Sequence, residues 1–217
     1  MISLQNMQYV NKAIRAFNPL VGKTYLIAFS SSSKKPLDFI EVQINEKNFW
    51  HLTGCKFDEE LKLHGEVKDD LYKACLNGSD ISDYLKYTDT PNDVKIKCSV
   101  LQNIFNFVDN AKILLITDAD GTPEQYMFTT GMGTNQGLVG YIENKHIYIP
   151  KTAQDKSINI KKNVNNKIRI ILSRSSTGRE YGTIEYEAAK DLFAKLLPQI
   201  KEKYNLSKSL SGLTTNE

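Results

Sequence analysis

No stretch of this chain is apolar for long enough to cross a bilayer. A span needs about 18 consecutive apolar residues, and the longest runs, around Ile113–Ile116 and from Ile168 to Leu172, are strand-sized. Cysteine is scarce. Cys55, Cys75 and Cys98 are odd in number and widely spaced, so they form neither a disulfide framework nor a C-x-x-C pair. A reducing compartment is expected, most simply the cytoplasm. Met1 to Val10 has no basic stretch followed by an apolar core, so it does not read as a secretory signal. The three histidines, His51, His64 and His146, lack H-E-x-x-H or H-x-H spacing, which argues against a catalytic zinc. Neither a P-loop nor a G-x-S-x-G elbow is present. Gly131-Met132-Gly133 does not bridge a strand and a long helix as a dinucleotide fingerprint must, and it reads as a hairpin loop. Asp118-Ala119-Asp120-Gly121 lacks the further ligands of a calcium loop and reads as a β-turn. No metal and no cofactor are expected.

What is present suits one globular domain. The 217 residues are 41% hydrophobic and 24% charged, with eleven Tyr and nine Phe to fill a core. Helical spacing of Met7, Val10, Ala13, Ile14 and Phe17 predicts a helix over 5–17, stopped by Asn18-Pro19. Residues 23–30 and 37–44 alternate as a hairpin. The middle is helical at 67–76, briefly after Ser79-Asp80, and again from about Asp93. Short strands follow at 113–117, 125–129, 138–142, 146–149, 167–172 and 181–186, then a helix from Glu187 to about Tyr204. The expected class is α+β, with N-terminal and central helices packed on a mainly antiparallel sheet and a helix at the C-terminus. Residues 1–206 form the domain and 207–217 a flexible tail.

Charge is unevenly placed. Residues 1–150 hold 15 basic and 18 acidic side chains, whereas 151–217 hold 13 and 7. Between Lys151 and Arg179 eight basic residues face one acid, Asp155. Such an excess fits a polyanionic partner, or a solvated basic loop.

Three segments carry the chemistry. In Asn48-Phe49-Trp50-His51-Leu52-Thr53-Gly54, an extended chain would point His51 and Thr53 to one face. His51 then serves proton transfer near neutral pH, with Thr53 beside it, or it makes a structural bond next to a Gly54 turn. The second segment, His146 to Thr152, presents Lys151 and Thr152 at a strand exit. The third, Arg169 to Arg174, ends in a cation that with Arg179 is suited to bidentate phosphate contacts, or to solvent.

In this order, the block Phe49 to Gly54, the block Tyr148 to Thr152 and the strand Ile168 to Arg174 resemble the phage-associated Barnase/EndoU/colicin/RelE-like nuclease domains over roughly residues 45–190. The chain departs from that pattern at Cys55-Lys56, at Lys151 and at Ser173-Arg174. The resemblance implies metal-independent RNA cleavage by 2′-OH attack. It makes His51 the base or acid, with Lys151 and Arg174 neutralising the phosphorane and Thr53 and Thr152 bonding its oxygens. Tyr148, Tyr181 and Arg179 would hold the RNA substrate. Two other classes stay open. A non-catalytic phage product that binds a host protein would use the same fold without convergent residues. A nucleotidyl- or ADP-ribosyl-transferase would need Glu180, Glu185 or Glu187 as a catalytic carboxylate.

Overall fold

The computed structural model describes residues 1–32, 34–58, 60, 65–88, 90–104, 112–115, 130–134, 137–155 and 166–212. Helix α1 (Leu4–Phe17) opens on Ser3, whose hydroxyl accepts from the Asn6 amide at 3.2 Å. Its buried stripe, Met7, Val10, Ala13, Ile14 and Phe17, is the one its spacing predicts. Strands β1 (Lys23–Ser30) and β2 (Asp38–Ile44) form the expected hairpin. β2 alternates, but β1 is buried at every residue after Lys23, because helices cover both of its faces.

Helix α2 (Asn48–Thr53) and the short strand β3 (Cys55–Phe57) follow. Helix α3 (Gly65–Leu76) comes next, and Gly78 at φ +87° then turns the chain. Where a short helix was expected after Ser79, a 3₁₀ turn (Ser82–Tyr84) leads into β4 (Leu85–Tyr87), the partner of β3. Helix α4 (Pro91–Ile104) packs against α1 and α2. Beyond it lie β5 (Lys112–Leu115), β6 (Thr130–Gly133), β7 (Leu138–Asn144), β8 (Ile147–Gln154), β9 (Lys167–Ser175) and β10 (Thr183–Glu187). The last described elements are α5 (Leu192–Lys203) and α6 (Lys208–Ser211). The fold is thus α+β on a mainly antiparallel sheet, with helices at both ends.

The sheet runs β1-β2-β8-β7-β6-β5-β9, and β9 pairs back with β1, so the strands curl into a circuit with β10 on the free part of β9. Only β2–β8 is parallel among these pairings. One face carries Tyr25, Ile27, Val42 and Ile171 against α1 to α4; the other carries Leu26, Ala28, Ile170 and Leu172 against α5. Gly131-Met132-Gly133, read as a loop, is instead strand β6, hydrogen-bonded to β5 and β7 on its two edges. Gly137 must be glycine, since a Cβ there would sit 2.8 Å from Val100 Cγ2 and 2.9 Å from the Gln154 carbonyl. The strand expected at 125–129 lies outside the described residues. α5 begins at Leu192, not Glu187, because the Glu187 carboxylate folds back to accept from the Phe193 amide and caps the helix. Residues 207–212, expected within the tail, are ordered against the domain: α6 buries Leu210, and the Ser207 amide donates to the Tyr181 carbonyl at 2.9 Å.

Candidate functional site

The segment 48–54 is helical, not extended, and this rearranges the site. Phe49, Trp50, Leu52 and Thr53 turn into the core, and His51 faces solvent. Residues two apart lie on one face of a strand but roughly 200° apart on a helix. Thr53 is therefore fully buried. Its hydroxyl donates to the Trp50 carbonyl at 2.9 Å and accepts from the Cys55 amide at 3.3 Å, closing the helix end before Gly54 at φ +76°. That bonding gives Thr53 a capping role and removes it from any phosphate. Lys97 on α4 runs its stem over Gly54, 3.2 Å from where a Cβ would be.

α2 packs directly on β8, so the first two segments come together. β8 is bulged at Lys151: Gly140 faces Thr152 and Tyr141 faces Pro150, leaving Lys151 as the extra residue, exposed. Bulges re-aim side chains and are common beside active sites. Thr152 and Tyr148 are half-buried.

Arg174 does not join them. It alternates with Leu172 on the α5 face of the sheet, whereas α2 lies on the opposite face. Its guanidinium is engaged: Nη1 donates to the Gly178 carbonyl at 2.6 Å, Nη2 to Glu41 Oε1 at 3.2 Å, and the group lies 5.3 Å over the Tyr181 ring. Tyr181 is 2% exposed and donates its hydroxyl to the same Glu41 oxygen, so its ring is not offered to a base. Burial and the Glu41 bond push its phenol up. Arg179 is exposed in the loop between β9 and β10. The convergence of His51, Lys151-Thr152 and Arg174 on one pocket is thus not formed: the first two segments meet and the third is across the sheet.

A second bulge holds a group that sequence reasoning placed only as a transferase carboxylate. Ile184 faces Leu172 and Tyr186 faces Ile171, which frees Glu185 to turn towards β1. Its Oε1 accepts from Ser173 Oγ at 2.6 Å and from Lys23 Nζ at 2.9 Å. Burial opposes its charge, but the Ser173 and Lys23 bonds outweigh it and hold the carboxyl below the usual carboxylate range. A carboxyl lowered in the folded state stabilises above its unfolded pKa, and that contribution is lost as pH falls through the folded value. Glu185→Gln is therefore expected to lower stability at about pH 7 and to lower it less at about pH 3, since the carboxylate's contribution is lost as pH falls. Urea unfolding at the two pH values tests this; an equal difference at both would show that the charge does not matter. Glu185 is thus held in this pair, and Glu187 caps α5.

Among the described residues no His, Cys, Asp and Glu side chains gather as a metal-binding group, and no described helix is long and apolar enough to cross a membrane. A family model described as phage-Barnase-EndoU-ColicinE5/D-RelE like nuclease 4 matches residues 10–190. No curated protein and no solved structure matches the chain.

Proposed function

Because the chain belongs to this family of nuclease-like domains, we propose that it is an endoribonuclease that cleaves RNA without a metal, at the face where α2 meets β8. The observation that carries this reading is the packing of α2, with its exposed His51, on the strand whose bulge exposes Lys151. His51 transfers one proton, from the ribose 2′-OH or to the departing 5′-oxygen, and solvent water carries the other. The 2′-oxygen attacks phosphorus, the bond to the 5′-oxygen breaks, and the products are a 2′,3′-cyclic phosphate and a 5′-hydroxyl. Lys151 offsets the charge that gathers on the phosphorane, whereas Thr152, paired with Gly140 and alternating with Ala153, points to the face away from α2 and stays outside this set. Tyr148 offers a half-buried ring on the same strand for a splayed base. Arg174 has no part in this set, since its donors serve Gly178 and Glu41.

Incubating the purified protein with total RNA in excess EDTA tests the proposal. Fragments ending in cyclic phosphate are expected. Intact RNA, with or without added divalent ions, would reject nuclease activity and favour the reading of a phage product that binds a host protein.

A further inference from the structure

On the α5 side of the sheet, away from α2, the turn between β1 and β2 and the last turns of α5 enclose an open cavity of about 460 Å³. That is within the size range of small-ligand sites, about 300–1,000 Å³. Lys34 and Lys35 enter from the turn and Lys203 from α5, against a single acid in the wall, Glu202. Phe39 supplies a half-buried aromatic ring, with Lys203 Nζ 5.1 Å from its centroid and the Tyr204 ring at 5.2 Å behind it. Gln199 in the wall accepts from the Leu37 amide at 3.3 Å, which ties the turn to the helix.

Two kinds of surface meet here. Three ammonium groups on flexible stems attract an anion, and one flat ring offers stacking to a planar group. A nucleotide carries both. An acidic peptide would satisfy the lysines but would leave the ring without a matching partner. The Lys203 stem is long enough for its ammonium to turn from the ring towards a phosphate while a base takes its place on Phe39.

We propose that this cavity is an exosite for single-stranded RNA. It seats one nucleotide of the strand, with phosphate among Lys34, Lys35 and Lys203 and base on Phe39, on the opposite face from the cleavage residues. The proposal rests on the ribonuclease reading. Long substrates reach both faces, and the exosite raises their affinity by adding a second attachment.

Fluorescence anisotropy with a labelled 2′-O-methyl oligoribonucleotide of about 15 nucleotides measures binding alone, because its blocked 2′-oxygen cannot attack. The Lys34→Glu/Lys35→Glu protein is expected to bind about tenfold or more weakly. Its log–log salt slope should be shallower by about 0.7, since the cavity holds one phosphate and each single-strand phosphate contact contributes about 0.7. Phe39→Leu, checked for an unchanged melting temperature, is expected to lose about tenfold from stacking. Adenosine monophosphate should compete for the site better than inorganic phosphate or an acidic peptide of matched charge. Unchanged affinity and slope in Lys34→Glu/Lys35→Glu would overturn the proposal, as would equal competition by the peptide. Cleavage of a dinucleotide, too short to span both faces, is read in parallel. If the lysine variant cleaves it like wild type and also binds the oligonucleotide like wild type, the exosite fails and the nuclease stands. If wild type cleaves neither dinucleotide nor long RNA, the nuclease reading itself fails and takes the exosite with it.

Discussion

His51→Ala is expected to lower RNA cleavage by about 10²–10⁴-fold, the usual contribution of a positioned acid or base, and to leave the melting temperature almost unchanged. The second half follows from position. His51 is exposed, while the neighbours that dock α2, Phe49, Trp50 and Leu52, are buried on the other side of the helix. Truncating an exposed side chain usually shifts stability by about 0.5 kcal/mol or less. For a chain of this size that is a change of only about 1–2 °C. Lys151→Ala is expected to cost about 10²-fold, as when one group that stabilises the transition-state charge is removed. On the proposed mechanism both act on one transition state, so the double variant should lose less than the product of the single losses. Single-turnover cleavage of one defined RNA, with melting curves on the same samples, measures all of this. If His51→Ala cleaves at the wild-type rate, the imidazole is a bystander and the chemistry lies elsewhere on the domain.

How much of this was readable beforehand depends on whether a feature is set locally. α1, β1, β2 and β9 are long enough for their apolar period to declare itself, and each appears within a few residues of where its spacing places it. α2 has only six residues. Over so short a run, apolar residues at 49, 50 and 52 fit a strand as well as a helix. That one ambiguity decided whether Thr53 would stand beside His51 or behind it. β6 was hidden for a different reason. Thr-Gly-Met-Gly has little strand propensity, and it is a strand because β5 and β7 flank it and the Gly131–Gly140 pair lets them approach. Arg174 illustrates the limit of local reading. Its partner Glu41 lies 133 positions earlier in the chain, so nothing in Ser173-Arg174-Ser175 foretells that the cation is engaged. Glu185 needed the bulge in β10 to turn it towards Lys23, and a bulge is a property of two strands together.

Phe49→Ala is expected to remove about 3–5 kcal/mol of stability, a large part of the 5–15 kcal/mol typical of a whole domain. The ring is fully buried, with centroids 5.3 Å from Phe17, 5.1 Å from Trp50 and 5.7 Å from Tyr72. It therefore joins α1, α2 and α3 at one point. Removing it deletes the area of one ring from the core and leaves three others facing a void that their stiff side chains cannot fill. Phe49→Leu keeps most of the volume and should cost much less, about 1 kcal/mol. Urea unfolding reads the difference as a lower midpoint at an unchanged slope. On the ribonuclease reading, Phe49→Ala should also cleave RNA poorly, but by a different route from His51→Ala: its activity should return at low temperature, where the folded fraction recovers, whereas that of His51→Ala should not. A loss below about 1 kcal/mol for Phe49→Ala would mean that α2 is not anchored through this ring. The packing of α2 on β8 that fixes the position of His51 would then lose its physical basis.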